Sequence, residues 1–334
     1  MEMNRQVVLA KTPVGIPQAD SFVLVETPIP KLADGSVLIE NHFLSVEPAM
    51  RGWLADKSNY STRISIGDVM RSLAAGKVIA SRSPKYSVGD YVTGWFGWQE
   101  TAHVREEDIL RKVEETDLPL SLSLGILGLN GIAAYLGLTI AGEPREGDTV
   151  VVSTAAGAVG SAVGQIANIL GCRTVGITGS ARKVEMCLKD FGYAAAFDYS
   201  KDDLAECLGK ACPDGINVYF DNTAGRISDA VRANLAVGAR IVICGTASVA
   251  NWDPPPPGPR IERDLLTKRA RMQGFLAFDH RDKTESTIAT LAGWIREGKL
   301  VWREDVLNDL ESCPGAIAGL YRGENLGKRI ISLR

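Results

Sequence analysis

Apolar and polar positions alternate over short stretches in the first third of the chain, from about residue 22 to residue 113. Strand length and a high content of Val, Ile and Thr characterise residues 36–41, 76–81 and 90–93, and the Gly-Asp pair at 67–68 marks a turn. Many short strands at this spacing are typical of a small β-barrel or sandwich. The sequence therefore predicts a β-rich domain here.

A different pattern begins after residue 121, where apolar strand-like runs alternate with stretches of helical periodicity. Strands are predicted at 149–153, 174–178, 217–221, 240–244 and 272–278, and helices at 159–170, 183–191, 227–235 and 284–297. Strand–helix–strand alternation predicts a parallel sheet that helices cover on both faces. The whole chain is therefore predicted to be α/β, with a doubly wound parallel sheet beside the β-rich domain.

Residues 118–142 carry no charge and are long enough to cross a bilayer. Pro119 and Asn130 interrupt this stretch, and its flanks, Asp117 and Glu143, are acidic rather than basic. We therefore expect two buried helical pieces at a domain junction and no interaction with a membrane.

Composition narrows the function further. The formal net charge is −3, from 37 basic and 40 acidic residues, which disfavours a nucleic-acid-binding surface. The 6 cysteines include no C-x-x-C pair, and the 3 histidines lie far apart, so neither a disulfide scaffold nor a metal site is expected. The start of the chain has no secretory signal pattern. These features predict a cytoplasmic protein with reduced cysteines.

The strongest candidate for a binding site spans residues 148–183. A predicted strand enters a turn of small residues, 155–160, and a helix then begins. Small residues allow the backbone to approach a pyrophosphate closely, and a helix start presents N–H groups to the anion. Gly160 and Gly164 let the helix pack against the sheet, although Ala155 stands where the dinucleotide-binding pattern has its first glycine. An ordinary turn packed with small residues is the alternative.

The next strand bears on the choice of cofactor. A site that prefers NAD places an acidic residue about 20 residues after the glycine turn, where it bonds the ribose 2′-hydroxyl. No acidic residue occurs from Ser161 to Val184, whereas residues 179–183 bring Ser180, Arg182 and Lys183 to the end of the strand. These groups attract a 2′-phosphate, so NADPH is predicted. A solvated basic helix start remains the alternative.

Motifs distributed over nearly the whole chain resemble the medium-chain dehydrogenase/reductase superfamily. The sequence is similar to its zinc-independent branch, the leukotriene/prostaglandin reductases and the curcumin-reductase-like double-bond reductases. The motifs are LSVEPAMRGW (44–53), SIGDVMRS (65–72), SVGDYVTGWFGWQE (87–100), GLNGIAAYLGL (128–138), AAGAVGSAVGQIA (155–167), VYFDNTAGR (218–226) and ENLGKRI (324–330). The resemblance implies a GroES-like β-barrel catalytic domain, 1–121 and 298–334, around a Rossmann domain, 122–297, in a homodimer.

The resemblance also implies a set of NADPH contacts. The pyrophosphate contacts would be Gly157, Ala158, Val159 and Gly160; the 2′-phosphate contacts would be Ser180, Arg182 and Lys183, with Tyr199 nearby; the ribose and nicotinamide contacts would be Asn222, Cys244, Phe275, Leu276 and Asn325. Tyr199 and Asn222 could instead simply form hydrogen bonds that satisfy polar groups of loops. The zinc-dependent relatives have an early ligand cysteine and a Gly-His-Glu motif, and this chain has neither.

Hydride transfer to a polarised C=C bond is the reaction that the resemblance implies, with an α,β-unsaturated ketone or aldehyde as substrate. Ala49 and Thr267 stand where the prostaglandin-reductase pattern has tyrosines. Tyr60 remains as the candidate catalytic hydroxyl, with packing on the barrel as its alternative role, and Ala49 beside Met50 would widen the substrate pocket. A quinone reductase and a non-catalytic NADPH-binding protein are the alternative functions.

Overall fold

The computed structural model describes residues 2–55, 61–248 and 256–334. The chain divides into two compact units, which we call unit 1, Met1–Gly125 with Glu304–Arg334, and unit 2, Ile126–Arg303. The sequence places these boundaries after residues 121 and 297.

The first part of unit 1 consists mainly of strands. Its elements are β1 (Met3–Leu9), β2 (Phe22–Pro28), β3 (Ser36–Ser45), α1 (Met50–Leu54), β4 (Ala74–Ser81), β5 (Tyr91–Gly94), β6 (Thr101–Arg105) and β7 (Ile109–Lys112).

Strands and helices alternate through unit 2. Its elements are α2 (Leu129–Leu136), β8 (Thr149–Ser153), α3 (Ala158–Ile169), β9 (Arg173–Thr178), α4 (Ala181–Lys189), β10 (Ala195–Asp198), α5 (Leu204–Ala211), β11 (Ile216–Asp221), α6 (Gly225–Arg232), β12 (Leu235–Ile243), α7 (Glu262–Lys268), β13 (Arg271–Gly274) and α8 (Thr284–Arg296). The chain then returns to unit 1 and ends with β14 (Glu304–Asn308), α9 (Cys313–Tyr321) and β15 (Lys328–Ser332).

Unit 1 is built on a seven-stranded sheet in the order β14-β15-β3-β4-β5-β7, with β6 paired to β3. Its pairs are antiparallel except for β14 with β15, and β1 and β2 form a separate antiparallel pair. Large apolar side chains such as Trp98, Phe96 and Leu44 are buried in its core. This is the β-rich domain that short alternating segments predict.

Unit 2 contains a six-stranded parallel sheet in the order β10-β9-β8-β11-β12-β13. The apolar runs lie in its central strands, where Val150, Val151 and Val152 are fully buried because helices cover both faces. The predicted α/β class is thereby confirmed. The strand order reverses between β8 and β11, and ligands of doubly wound sheets bind at the carboxyl ends of the strands beside such a reversal.

The uncharged stretch 118–142 forms short helical segments. A 3₁₀ helix, Leu120–Leu124, is buried in unit 1, and α2 continues into a π-helical turn, Gly137–Gly142, in unit 2. Within the described ranges, no helix has both the length and the apolar character needed to cross a membrane.

Candidate functional site

The turn between β8 and α3 is formed by small residues in a strained backbone. Thr154 has a φ of 54°, and Ala155 N–H donates to the Ile177 carbonyl at 3.0 Å. Gly157 N–H donates back to the Thr154 carbonyl at 2.8 Å, and Gly157 is the N-cap of α3. First-turn N–H groups have no acceptor within their own helix, and glycine has no side chain to cap them. The turn therefore presents backbone donors suited to an anion.

Glycine is required at Gly160 because α3 lies directly on this turn. A Cβ there would be 2.2 Å from the Thr154 carbonyl oxygen, and one at Gly164 would be 2.2 Å from the ring of Tyr193. The Tyr193 hydroxyl donates to the Gly160 carbonyl at 2.7 Å. Burial raises the pKa of Tyr193 well above its usual value, so this hydroxyl stays a neutral donor.

The start of α4 brings cationic side chains to the end of β9. Ser180 is the N-cap, and its hydroxyl oxygen accepts the N–H of Lys183 at 3.3 Å. Arg182 is exposed and Lys183 is half-buried. Ser180 therefore has a structural role, while its hydroxyl proton can still be donated to a ligand.

Tyr199 follows β10 and lies against the same helix start. Its N–H donates to the Thr178 carbonyl at 2.9 Å, and a Cβ on Gly179 would be 2.8 Å from its hydroxyl oxygen. The side chain is 51% exposed, so its ring remains accessible to a ligand. The structure thus brings Tyr199 and Ser180 together at one end of the sheet.

Asn222 joins the two strands at the reversal of strand order. Its side-chain amide donates to the Ser153 carbonyl, and its N–H donates to the Ser153 hydroxyl, both at 2.8 Å. The amide of Asn222 therefore satisfies a backbone hydrogen-bond acceptor at the end of β8, which is the alternative, structural role that the sequence leaves open.

Cys244, Phe275 and Leu276 lie past the next two strand ends. Cys244 N–H donates to the Asp221 carbonyl at 2.8 Å, and burial together with the nearby Asp221 carboxylate raises the pKa of its thiol to about 12. Phe275 is buried and stacks on His280 at 5.2 Å, whereas Leu276 is 37% exposed. Cys244 is consequently a neutral thiol at neutral pH.

The remaining predicted site residues belong to unit 1. Asn325 is half-buried and its amide donates to the Gly327 carbonyl at 2.8 Å. Ala49 is half-buried at the start of α1, but Met50 is fully buried and its sulfur accepts the N–H of Glu47 at 3.5 Å. Tyr60 lies outside the described residues.

A buried ionic cluster in unit 1 supports the segment that carries Ala49. The Lys328 ammonium donates to the Ser45 hydroxyl at 2.7 Å, to the Val46 carbonyl at 3.0 Å and to the Glu47 carboxylate at 2.7 Å. All three protons of the ammonium are thus used. Sequence reasoning missed this cluster because Lys328 and Ser45 are 283 residues apart.

Sequence reasoning also missed Asp221, the last residue of β11, which is 1% exposed. Its carboxylate accepts hydrogen bonds from the hydroxyls of Tyr219 and Ser228 and from the backbone N–H of Thr223 and Ala224. The sequence feature that could have indicated Asp221 is an acidic residue at the end of an otherwise apolar strand. It comes directly before Asn222, which the motif at 218–226 did identify.

Among residues 2–55, 61–248 and 256–334, no group of three or more His, Cys, Asp or Glu side chains is placed to hold a metal ion. The parallel sheet, the glycine-lined turn and the cationic start of α4 instead define a dinucleotide-binding domain.

Comparisons with known proteins place this domain in a family. A family model described as the N-terminal domain of oxidoreductase matches residues 5–113, and one described as zinc-binding dehydrogenase matches residues 158–293. The NADPH-dependent curcumin reductase of Escherichia coli (strain K12) is 38% identical over 335 residues, which cover 99% of this chain and 97% of that protein. The NADP(+)-dependent 2-alkenal reductase of Nicotiana tabacum is 38% identical over 333 residues, which cover 98% and 97%.

The solved structures agree with these relatives. CurA from Vibrio vulnificus in complex with NADPH has a TM-score of 0.93 and 38% identity, and the match covers 99% of both chains. This chain belongs to the double-bond reductase branch of the medium-chain dehydrogenase/reductase superfamily.

Substituting Gly160 tests the close approach of α3 to its turn. In Gly160→Ala, the new methyl group meets the Thr154 carbonyl, and the start of α3 must move away from the turn. We expect the Kd for NADPH, measured by nucleotide fluorescence, to rise about tenfold or more, the equivalent of about 1.4 kcal/mol.

Gly293→Ala in α8 is the matched control, because a Cβ there meets nothing within 4 Å. This variant should bind NADPH normally and gain about 0.5–1 kcal/mol of stability. Unchanged NADPH affinity in folded Gly160→Ala would contradict the assigned role of the turn.

Proposed function

We propose that this chain is an NADPH-dependent reductase of the C=C double bond of α,β-unsaturated ketones and aldehydes, and that it works without zinc. The observation that carries the proposal is 38% identity over 99% of the chain to a relative named NADPH-dependent curcumin reductase. The similarity to a 2-alkenal reductase supports the same substrate class. The sequence lacks the early ligand cysteine and the Gly-His-Glu motif of the zinc-dependent relatives, and this supports zinc independence.

The local structure of unit 2 fits the diphosphate and 2′-phosphate of NADPH. A Cβ would fill the space at Gly157 and Gly160, and the start of α4 offers cationic groups with no acidic residue in its first turn. The proposed holding residues are Gly157, Ala158, Val159 and Gly160 for the pyrophosphate, Ser180, Arg182, Lys183 and Tyr199 for the 2′-phosphate, and Asn222, Cys244, Phe275, Leu276 and Asn325 for the ribose and nicotinamide.

NADPH, when bound, supplies a hydride for the β-carbon of the enone. In our proposal the Tyr60 hydroxyl donates a hydrogen bond to the developing enolate oxygen and is the source of the proton for the α-carbon. Ala49, with its small side chain, leaves room for a bulky substrate beside Met50. The six cysteines are all free thiols, which suits the reducing cytoplasm where we place the enzyme.

We also propose a homodimer, with β13 at the interface. This strand forms one edge of the six-stranded sheet and is exposed along its whole length. Met272 on this strand is 37% exposed, and Leu266 on the preceding helix α7 is 77% exposed, so both offer apolar surface. An exposed edge strand is a template for pairing with another chain, and a second copy of β13 can complete it about a twofold axis.

The cofactor proposal predicts a selective effect of Lys183→Met. The 2′-phosphate is present in NADPH and absent from NADH, and a hydrogen bond to a charged group contributes about 1.5–3 kcal/mol. The KM for NADPH should therefore rise about tenfold or more while the KM for NADH stays unchanged. Lys189→Met at the far end of α4, where Lys189 pairs with Glu185, should alter neither value. Equal use of NADH and NADPH by the wild type would overturn the cofactor assignment.

The reaction and the role of Tyr60 are tested together with enones, enals and quinones as substrates. The wild type should convert enones to saturated carbonyl products identified by mass. Tyr60→Phe should lower kcat for enones about 10²–10⁴-fold, the usual contribution of a proton donor, and leave NADPH binding unchanged.

Tyr91→Phe in β5 is the control for loss of a phenol in unit 1 and should be fully active. Hydroquinones as the only products would move the assignment to a quinone reductase, and normal enone reduction by Tyr60→Phe would remove Tyr60 from the mechanism.

The dimer proposal predicts that Met272→Pro is monomeric. Phe275 N–H points towards β12, where it donates to the Ile243 carbonyl, so alternation along the strand points the Met272 N–H outwards. Proline removes that outward donor, whereas Met272→Thr keeps it. Light scattering should give a dimer for the wild type and Met272→Thr and a monomer for Met272→Pro; a dimeric Met272→Pro would exclude this interface.

A further inference from the structure

The buried carboxylate of Asp221 has no part in the cofactor contacts proposed above. One of its oxygens, Oδ1, accepts the Ala224 N–H at 2.8 Å, the Thr223 N–H at 2.9 Å and the Tyr219 hydroxyl at 3.0 Å. The other, Oδ2, accepts the Ser228 hydroxyl at 2.5 Å. Both oxygens accept hydrogen bonds from groups of the chain itself, so the carboxylate holds the neighbouring residues in place rather than binding a ligand.

The donors around this carboxylate are fixed in their protonation state. Burial, followed by the proximity of Asp221, raises the pKa of Tyr219 well above its usual value, and Tyr219 is fully buried. A neutral phenol and a serine hydroxyl can therefore both donate to the carboxylate across the working pH range. Charge-assisted hydrogen bonds of this kind are stronger than those between neutral groups.

The carboxylate stabilises a strained turn. Ala224 has a φ of 60°, a left-handed value that costs free energy for any residue with a side chain, and its N–H is held by Asp221 Oδ1. Thr154, with a φ of 54°, directly follows the neighbouring strand β8, and Ala224 is the third residue after β11. Both departures from ordinary backbone geometry thus occur where the sheet reverses its strand order.

Asp221 also links the ends of three adjacent strands. The Ser153 hydroxyl at the end of β8 approaches Oδ1 at 3.3 Å and accepts the Asn222 N–H. The Asp221 carbonyl accepts the N–H groups of Cys244 and Gly245, which follow β12, at 2.8 and 3.1 Å. A single residue therefore sets the relative positions of the strand ends that carry Asn222, Cys244 and the pyrophosphate-binding turn.

We propose that Asp221 is a positioning residue for the dinucleotide: it holds residues 222–224 and the end of β8 in the backbone geometry that receives the part common to NADPH and NADH. The inference rests on the proposed function. Because the 2′-phosphate contacts lie at the start of α4, a disturbance around Asp221 should weaken both nucleotides equally, unlike a change at Lys183.

Asp221→Asn tests this role, since it keeps the shape and replaces an acceptor oxygen by an amide donor facing groups that donate. We expect the Kd values for NADPH and for NADH, measured by fluorescence without substrate, to rise together by tenfold or more. Tyr219→Phe and Ser228→Ala each remove one donor and should give smaller, parallel rises; they keep the test decisive where Asp221→Asn does not fold.

Leu208→Ala is the control for general destabilisation, because Leu208 is fully buried in α5 in the same apolar core as Tyr219, while its aliphatic side chain takes no part in the hydrogen bonds to Asp221. It should lower Tm while leaving both Kd values unchanged. Unaltered nucleotide affinity in folded Asp221→Asn, a change confined to NADPH, or an equal loss of affinity in Leu208→Ala would overturn the inference. A wild type that binds neither nucleotide would instead refute the proposed function.

Discussion

The first turn of α3 lies against the backbone of the turn that precedes it, and the candidate nucleotide site of unit 2 is built around this contact. At Gly160 there is no room for even a methyl group, because the Thr154 carbonyl oxygen occupies its position. Tyr193 also holds the helix start through the hydrogen bond from its hydroxyl to the Gly160 carbonyl. This close approach places unpaired N–H groups of a helix start at the carboxyl ends of the parallel strands, where an anion gains most from them.

Each unit also contains a buried charge whose hydrogen-bonding capacity is used by its own chain. Lys328 in unit 1 donates to Ser45, Val46 and Glu47, and Asp221 in unit 2 accepts from strand-end and turn groups. Such groups contribute little net stability, because burial of the charge costs about as much as its partners return. Their effect is directional: each permits one arrangement of the segments around it and penalises the alternatives. Both occur beside segments that carry proposed site residues.

The sequence predicts what depends on local pattern and misses what depends on distant partners. The Val-rich strand β8, the small-residue turn and the start of α4 could all be read from periodicity and residue type. The predicted helix over 227–235 is wrong at its end, since α6 stops at Arg232 and Leu235 already begins β12. In the sequence, Asp221 is only an acidic residue at the end of an apolar run, because its structural role depends on a hydrogen bond from Ser153, which lies 68 positions away. Apolar alternation likewise cannot reveal that Lys328 reaches Ser45.

Two kinds of information therefore combine in the nucleotide site of unit 2. In our proposal the choice of nucleotide is a local property: it depends on Ser180, Arg182 and Lys183 at one helix start, and the absence of an acid there could be seen directly in the sequence. Affinity for the dinucleotide as a whole is a tertiary property, since it depends on strand ends held together by Asp221 and on a helix seated by Gly160. A local substitution can consequently change which cofactor is preferred without altering the backbone geometry. A change in the tertiary contacts, in contrast, affects every nucleotide that can bind at the carboxyl ends of the strands. The same division explains why residue motifs identify the family so readily and yet leave the supporting network unrecognised.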